Sequence, residues 1–209
     1  MTNLVILISG RGSNMDAILQ AVDNQEIDNI NKKLIISNNP DSAGLDIAKN
    51  TYDVPIEVIL KKNLSKAGFD AKLIDVLSSY EFEPSNSIIC LAGFMQILGP
   101  HIVDLFKYRI LNIHPSLLPS FKGLHAQKQA LDAGVKVSGC TVHFVDSTID
   151  TGPIILQKCV KVMDDDDETR LANRILIEEH KIYKLAINLL INNKIKIKNN
   201  KVFIDSLKQ

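Results

Sequence analysis

Short apolar runs alternate with amphipathic stretches through the first half of the chain. The apolar runs are nearly continuous, which is typical of strands buried on both faces of a parallel sheet. Between them, apolar residues recur every three or four positions, the spacing of one helix face. The predicted strands cover residues 4–9, 33–39, 55–60, 87–93 and 109–114, and the predicted helices cover residues 13–24, 42–52 and 65–80. This order predicts an α/β fold with a doubly wound, mostly parallel sheet.

The second half of the chain has a different pattern. Two antiparallel strands, one long amphipathic helix and a terminal hairpin are predicted there, over residues 137–146, 153–162, 167–192 and 194–205. The hairpin turns at Asn199-Asn200, a dipeptide that favours a tight turn. Because no linker, repeat or low-complexity segment interrupts the sequence, we expect residues 1–209 to form a single domain.

Composition limits the partners of the protein. Hydrophobic residues make up 45% of the chain and charged residues 23%, as in an ordinary globular protein. Lys and Arg together number 24, as do Asp and Glu, and this balance argues against a nucleic acid or an anionic membrane as the partner. The three cysteines lack metal-ligand spacing and two lie in apolar runs, which favours buried free thiols. With neither a membrane-length apolar run nor a signal-peptide pattern, the sequence predicts a cytoplasmic protein.

The segment LNIHPSLLP, residues 111–119, carries the first candidate chemistry. On a strand, Asn112 and His114 project from the same side because side chains alternate. Pro115 forces His114 into an extended conformation and removes the next backbone donor, so the strand ends there. Working side chains in α/β proteins are often found at such strand ends. On this spacing alone, a core histidine at a strand end is an equally good interpretation.

Two further loops follow predicted strands. In SGRGSN, residues 9–14, the glycines allow an anion to approach the N-terminus of the first helix. This loop lacks the third glycine of a dinucleotide motif and the Gly-Lys-Ser/Thr of a Walker A loop, so it suits a phosphate monoester better. A glycine turn without a ligand is the alternative. The segment AGFMQIL, residues 92–98, is suited either to wall a flat aromatic ligand or to begin a core helix.

Two acidic features complete the candidates. Asp150 lies in a turn after a predicted strand, and near an imidazole its charge would raise the pKa of that ring from about 6.5. A solvated turn residue is the alternative. The acidic run at residues 164–168 suits the N-terminus of a helix, with capping-box spacing between Asp165 and Glu168, better than it suits a metal site. We therefore expect no bound metal.

Five segments together carry a family resemblance. They are SGRGSN, LAGFMQIL, LNIHPSLLPSFKGLH, TVHFVDSTIDTGPIILQ and EEHKIY. In order and spacing they resemble the phosphoribosylglycinamide formyltransferases, the folate-dependent enzymes of purine synthesis. The resemblance implies a Rossmann-like formyltransferase fold with antiparallel strands in its C-terminal half. It also implies that 10-formyltetrahydrofolate, the co-substrate, gives its formyl group to the amine of glycinamide ribonucleotide. The partners it implies are small molecules, with no metal. A homodimer is an open alternative.

The resemblance also implies roles for individual residues. Asn112 is expected to grip the formyl oxygen and His114 to stabilise the oxyanion or donate a proton to N10, while Asp150 orients His114 and raises its pKa. The residues implied to bind glycinamide ribonucleotide are Gly12, Ser13, Asn14 and Glu179. The residues implied to bind the folate are Lys66, Met95, Gln96, Ile97, Leu98, Asn112, Val145, Asp146, Ser147, Thr148 and Ile149.

Two positions depart from the pattern of the family. Gln96 stands where many relatives have arginine, and Leu176 stands where some have a polar substrate contact, so both bear on affinity rather than on the reaction. Two relatives of the same superfamily fit less well: a methionyl-tRNA formyltransferase is expected to add an RNA-binding domain, and a formyltetrahydrofolate hydrolase a regulatory domain before residue 4. A sugar-nucleotide N-formyltransferase and a non-catalytic nucleotide-binding module are the remaining alternatives.

Overall fold

The computed structural model describes residues 1–61 and 64–205 as one seven-stranded sheet with helices on both faces and a separate hairpin. The strands of the sheet are β1 Thr2–Ile8, β2 Ile30–Ser37, β3 Ile56–Val58, β4 Ser87–Leu91, β5 Ile110–His114, β6 Val137–Phe144 and β7 Ile154–Lys161. The helices are α1 Ser13–Asp23, α2 Ala43–Tyr52, α3 Lys66–Ser79, α4 Pro100–Leu105, α5 Ala126–Asp132 and α6 Glu168–Ile191. The hairpin consists of β8 Ile195–Lys198 and β9 Lys201–Ile204.

The sheet has the strand order β3-β2-β1-β4-β5-β6-β7. The first five strands in this order are parallel, and β6 and β7 are antiparallel, which confirms the predicted fold class. The chain winds outward in one direction from β1 through β3 and then in the other direction from β4. A crevice therefore opens beyond the carboxyl ends of β1 and β4, the usual ligand position in open α/β sheets.

The core lies on both faces of the sheet. Along β1, Leu4, Ile6 and Ile8 pack in one hydrophobic cluster, which also contains the buried faces of α1 and α6. Val5 and Leu7 pack in a second cluster with α3 and α4. All five side chains are fully buried. Burial on both sides explains why the apolar runs are continuous rather than alternating.

Local sequence predicted most of the elements but not all of them. The hairpin β8–β9 forms at Asn199-Asn200, where both residues have positive φ, as expected. Helix α5 was not predicted, and β3 is shorter than its apolar run. The cap of α6 is Asp167, whose side chain accepts a hydrogen bond from the backbone of Arg170, rather than the predicted Asp165.

The structure bears on the predictions made for the cysteines and for membrane-spanning segments. Cys90 and Cys140 are buried free thiols, as predicted, and Cys159 is an exposed one. Within residues 1–61 and 64–205, no helix has the length and apolarity to cross a membrane.

Candidate active site

Strand β5 brings two predicted site residues to the edge of the crevice. Asn112 and His114 occupy alternate positions near its carboxyl end, and β6 runs antiparallel beside it. This pairing places His143 directly opposite Asn112, and the Asn112 amide nitrogen lies 3.1 Å from His143 Nε2. His143 is 2% exposed, so it belongs to the floor of the site rather than to its rim. Sequence reasoning missed this histidine because only the strand register brings it here.

One carboxylate faces both histidines. Asp150 Oδ2 lies 3.4 Å from His114 Nδ1, and Asp150 Oδ1 lies 3.7 Å from His143 Nε2. The side chains are 6% exposed for His114 and 11% for Asp150, so this contact is shielded from bulk water. The structure thus brings together Asn112, His114 and Asp150, the three residues predicted to act in catalysis.

A single loop after β5 holds both partners of this contact. The backbone carbonyl of Phe121 lies 2.8 Å from His114 Nε2, and the backbone N–H of Gly123 donates to Asp150 Oδ2 at 2.8 Å. The loop is fixed from β6, where the hydroxyl of Thr141 donates to the Ser116 carbonyl and accepts from the backbone N–H of Leu118. These backbone donors and acceptors carry no residue-type signal, so the sequence could not reveal them.

Backbone conformation at the site is unusual for side-chain-bearing residues. Phe121 has φ 55° and Asp150 has φ 52°, both in the left-handed region. That region costs non-glycine residues free energy, and such strain concentrates at functional sites. Aspartate tolerates it better than most residues, which suits the turn that aims Asp150 at His114.

Hydrogen bonding assigns the tautomers of the two histidines. A carbonyl oxygen only accepts, so His114 carries hydrogen on Nε2, which faces Phe121, and His143 carries it on Nδ1, which faces its neighbour Phe144 at 2.8 Å. In the neutral His143 ring, Nε2 therefore accepts from the Asn112 amide. Among the described residues, the second N–H of Asn112 has no hydrogen-bond partner. In the neutral His114 ring, Nδ1, which faces Asp150 Oδ2 at 3.4 Å, is the nitrogen that can accept a proton.

Burial and charge act on the pKa of His114 in opposite directions. Burial lowers the pKa, while the Phe121 hydrogen bond and the Asp150 charge raise it and His143 lowers it further. The net pKa lies below the ordinary value. The contribution of Asp150 therefore has the predicted direction, but the opposing effect of desolvation is larger and determines the net shift.

The pKa of the Asp150 carboxyl is also displaced. Burial favours its protonated form and so raises the pKa, but contacts with His143, the Gly123 N–H and His114 together hold it below the usual value. The carboxylate therefore stays charged at neutral pH, and its negative charge is directed at the two imidazole rings.

The glycine loop after β1 is held against the N-terminus of α2. Gly12 has φ 78°, and a Cβ there would lie 2.7 Å from the Cα of Gly44. Gly44 in turn donates its backbone N–H to the Gly10 carbonyl. Only glycine at position 12 allows this contact, which places the first amides of α1, at Ser13 and Asn14, at the crevice. Such amides have no partner within their helix and attract anions.

The far side of this loop meets α6. The Asn14 amide nitrogen donates to Glu179 Oε2 at 2.8 Å, and both residues are buried. Burial raises the pKa of Glu179, although the hydrogen bond from Asn14 opposes that shift. The Asn14 Oδ1 atom is buried and has no partner among the described residues. An open acceptor therefore lies beside a buried carboxyl, at the position predicted for the substrate. Leu176, three residues earlier on α6, is half-buried.

The segment after β4 forms one wall of a cavity of about 160 Å³. Met95 and Ile97 are 70% and 46% exposed, so they present apolar surface to the cavity, whereas Gln96 is 9% exposed. Lys66 stands on the opposite wall, at the first turn of α3. Leu98 packs into the core below. The structure thus brings Lys66 together with the segment predicted to bind the folate.

The remaining predicted folate residues form the loop between β6 and β7. Val145 packs against the same core cluster as Leu98. Asp146 fixes the turn by accepting from the Thr148 backbone and the Thr151 hydroxyl at 3.0 and 2.8 Å. Ser147, Thr148 and Ile149 are exposed. This loop leads directly into Asp150.

Ser9 connects two of the site's loops. Its hydroxyl accepts the backbone N–H of Met95 at 2.7 Å, across the carboxyl ends of β1 and β4. The segment that begins the glycine loop is therefore hydrogen-bonded to the cavity wall at this point. Within the described parts of the chain, no group of three His, Cys, Asp or Glu residues is placed to hold a metal ion.

The chain resembles known proteins in sequence and in fold. Residues 2–187 match the family model described as formyl transferase. The phosphoribosylglycinamide formyltransferase of Escherichia coli K12 is 37% identical over 203 residues, covering 97% of this chain and 93% of the relative. The crystal structure of glycinamide ribonucleotide transformylase 1 from Symbiobacterium toebii matches with a TM-score of 0.92 and 42% identity, over 99% and 95% of the two chains.

A second kind of relative is much longer. The trifunctional purine biosynthetic protein adenosine-3 of Drosophila melanogaster is 44% identical over 90% of this chain, but the match covers only 14% of that protein. The chain thus corresponds to one part of the trifunctional relatives and to nearly all of the bacterial ones. Near-complete coverage at this identity shows that the chain belongs to the formyl transferase family, with the phosphoribosylglycinamide formyltransferases.

Proposed function

We propose that this chain transfers the formyl group of 10-formyltetrahydrofolate to the amine of glycinamide ribonucleotide in purine biosynthesis, acting as a single domain. The observation that carries the proposal is the cluster of Asn112, His114 and Asp150, which supplies an amide donor, a proton carrier and a charge at one point. Acyl transfer to an amine needs a donor for the oxyanion and a group that moves one proton.

The phosphate of the nucleotide substrate is assigned to the glycine loop. The first two amides of α1, at Ser13 and Asn14, and the positive end of the α1 dipole favour a phosphate monoester. Glu179 and Asn14 Oδ1, which has no partner in the described part of the chain, lie on the side of this loop nearest α6. They accept hydrogen bonds, so they suit the ribose hydroxyls or the glycinamide amine rather than the phosphate.

The folate is assigned to the apolar wall at Met95 and Ile97 and to the loop from Val145 to Ile149. These surfaces flank the Asn112–His114–Asp150 cluster from β4 and β6 respectively. The cavity at Lys66 and Gln96 suits the acidic tail of the folate, because Lys66 supplies a positive charge there. Its lining does not include the cluster, so the chemistry takes place at the crevice rather than inside this cavity.

The reaction proceeds through one addition and one elimination. The neutral substrate amine attacks the formyl carbon, a C–N bond forms, and the carbonyl electron pair moves to oxygen. The free N–H of Asn112 donates to that oxyanion. The new ammonium gives its proton to Nδ1 of His114, and the resulting imidazolium is stabilised by Asp150. When the bond from carbon to N10 breaks, N10 receives the electron pair and the His114 proton, and the formyl carbonyl re-forms.

A direct assay tests the proposal. The purified protein is mixed with 10-formyltetrahydrofolate and glycinamide ribonucleotide, and tetrahydrofolate release is followed by absorbance. We expect release only when both substrates are present. Release without the ribonucleotide would show hydrolysis, and release only with an amino-sugar nucleotide would show the alternative N-formyltransferase. Either result, or no release at all, would overturn the proposal.

Two matched variants connect the activity to the site. His114→Ala should lower kcat by roughly 10²–10³, the typical effect of losing a positioned acid or donor. His101→Ala removes an exposed histidine on α4 and should leave kcat unchanged. Equal effects of the two variants would show that His114 takes no part in the transfer.

A further inference from the structure

A buried carboxylate in α3 holds a neighbouring element that carries part of the site. Asp70 is 1% exposed. Its Oδ1 accepts the backbone N–H of Gly99 at 2.8 Å, and its Oδ2 accepts that of Ile102 at 3.4 Å. These two amides belong to the N-terminus of α4, whose own cap residue, Gly99, has no side chain to supply a cap. Asp70 therefore caps a helix other than its own.

The contact requires glycine on its other side. A Cβ at Gly99 would overlap the Asp70 carboxylate. Gly99 has φ −83°, which any residue adopts, so backbone strain does not explain the glycine. Close approach of the carboxylate explains it instead. Burying a carboxylate is expensive unless its oxygens are hydrogen-bonded, and here both oxygens bond to α4.

This contact joins the two elements that carry the walls of the cavity assigned to the folate. Asp70 is one helical turn beyond Lys66, which lies on one wall. Gly99 is two residues beyond Ile97, which lies on the other. The Asp70–Gly99 hydrogen bond therefore joins helix α3 to the chain that directly follows the segment from Met95 to Ile97.

We propose that Asp70 is a positioning residue that sets the separation of Lys66 from the Met95–Ile97 wall, and through it the affinity for the folate. Asp70 is buried and does not line the cavity, so it acts through the two walls rather than by touching the substrate. This inference rests on the proposed function for the identity of the ligand. It assigns a role to a residue that lies outside all the predicted site residues.

The test compares the effect of each variant on the KM values for the two substrates. Asp70→Ala removes both acceptors, so we expect the KM for 10-formyltetrahydrofolate to rise by roughly fivefold or more, with kcat and the KM for glycinamide ribonucleotide within about twofold of the parent. Asp70→Asn retains one acceptor oxygen and should give a smaller rise. It also covers the case in which Asp70→Ala fails to fold.

Gly99→Ala perturbs the same contact from the opposite side. It should raise the folate KM in the same way, because the new methyl group displaces the carboxylate. In the double variant Asp70→Ala with Gly99→Ala the overlap no longer exists, so its KM should be close to that of Asp70→Ala alone. If instead the increases in folate KM caused by the two single substitutions multiply in the double variant, the two residues act independently and the proposal is overturned.

Asp167→Ala is the matched control, since it removes another helix cap that does not line the cavity. A merely structural role predicts that Asp70→Ala and Asp167→Ala both lower the melting temperature and leave the folate KM unchanged, which would overturn the proposal. Equilibrium affinity for tetrahydrofolate, measured by fluorescence, distinguishes failure of the Asp70 inference from failure of the proposed function. If the parent binds tetrahydrofolate but transfers no formyl group, the proposed function fails, and the Asp70 variants still test the inference by their affinity.

Discussion

The hydroxyl of Tyr183 contacts both of the strands that lead into the site. Tyr183 is fully buried on α6, and its hydroxyl lies 3.0 Å from the carbonyl of Leu91 on β4 and 3.1 Å from that of Leu111 on β5. Leu111 immediately precedes Asn112. We therefore expect Tyr183→Phe to lower the stability of the fold and to disturb β5, the strand that carries Asn112.

The size of the effect follows from burial. Removing the hydroxyl leaves two buried carbonyls without this donor, and an unsatisfied buried polar group costs about 1–3 kcal/mol. Water cannot replace the donor at a fully buried position, so we expect a loss of about 2 kcal/mol in the free energy of unfolding. For a domain of this size that loss lowers Tm by about 4–8 °C. A shift of β5 at Leu111, next to Asn112, should also lower kcat by roughly fivefold, which corresponds to about 1 kcal/mol.

Urea unfolding and steady-state kinetics check the prediction, with Tyr108→Phe as the control. Tyr108 is half-buried and packs edge-on against Phe144 with ring centres 5.7 Å apart, but its hydroxyl makes no hydrogen bond to the described residues. Its removal should change the free energy of unfolding by less than about 0.5 kcal/mol. If Tyr183→Phe is no more destabilising than Tyr108→Phe, the hydroxyl does not hold the strands together and the reasoning is wrong.

Three further predictions concern backbone strain, charge and pH. Gly123 and Gly134 both have positive φ, with nothing within 4 Å of an added Cβ, so alanine at either should cost about 1 kcal/mol of stability, measured by thermal unfolding. Only Gly123→Ala should also lower kcat, because its N–H holds Asp150; equal kinetics would contradict that. Asp150→Asn should lower kcat by roughly 10²–10³ and move the His114 titration to lower pH, which NMR of the imidazole would measure. Burial lowers the pKa of both His114 and His180 below the ordinary value of about 6.5, so the unfolded chain binds protons first as the pH falls. Stability should therefore decrease from about pH 7 downward, and His180→Gln should reduce that slope; an unchanged slope would show that His180 does not contribute.

Local sequence determined the strands, most helices and the same-side placement of two catalytic candidates. Continuous apolar runs predicted strands buried on both faces, and this follows from a sheet covered by helices on both sides. The two-residue spacing of Asn112 and His114 determined that they share a side, because strand geometry depends only on neighbouring residues. Residue identities in the quoted motifs were enough to indicate the family.

Only the tertiary structure decided what surrounds those residues. His143 lies opposite Asn112 because β6 pairs antiparallel with β5 in one register, and no local pattern specifies that register. The Phe121 carbonyl and the Gly123 N–H are backbone groups. Every residue has the carbonyl and every residue except proline has the N–H, so residue type does not indicate their roles. The net downward shift of the His114 pKa could not be predicted from the sequence, for the same reason. Its neighbours along the chain indicate a charge partner, but desolvation depends on every element packed around it, and those contacts exist only once the chain has folded.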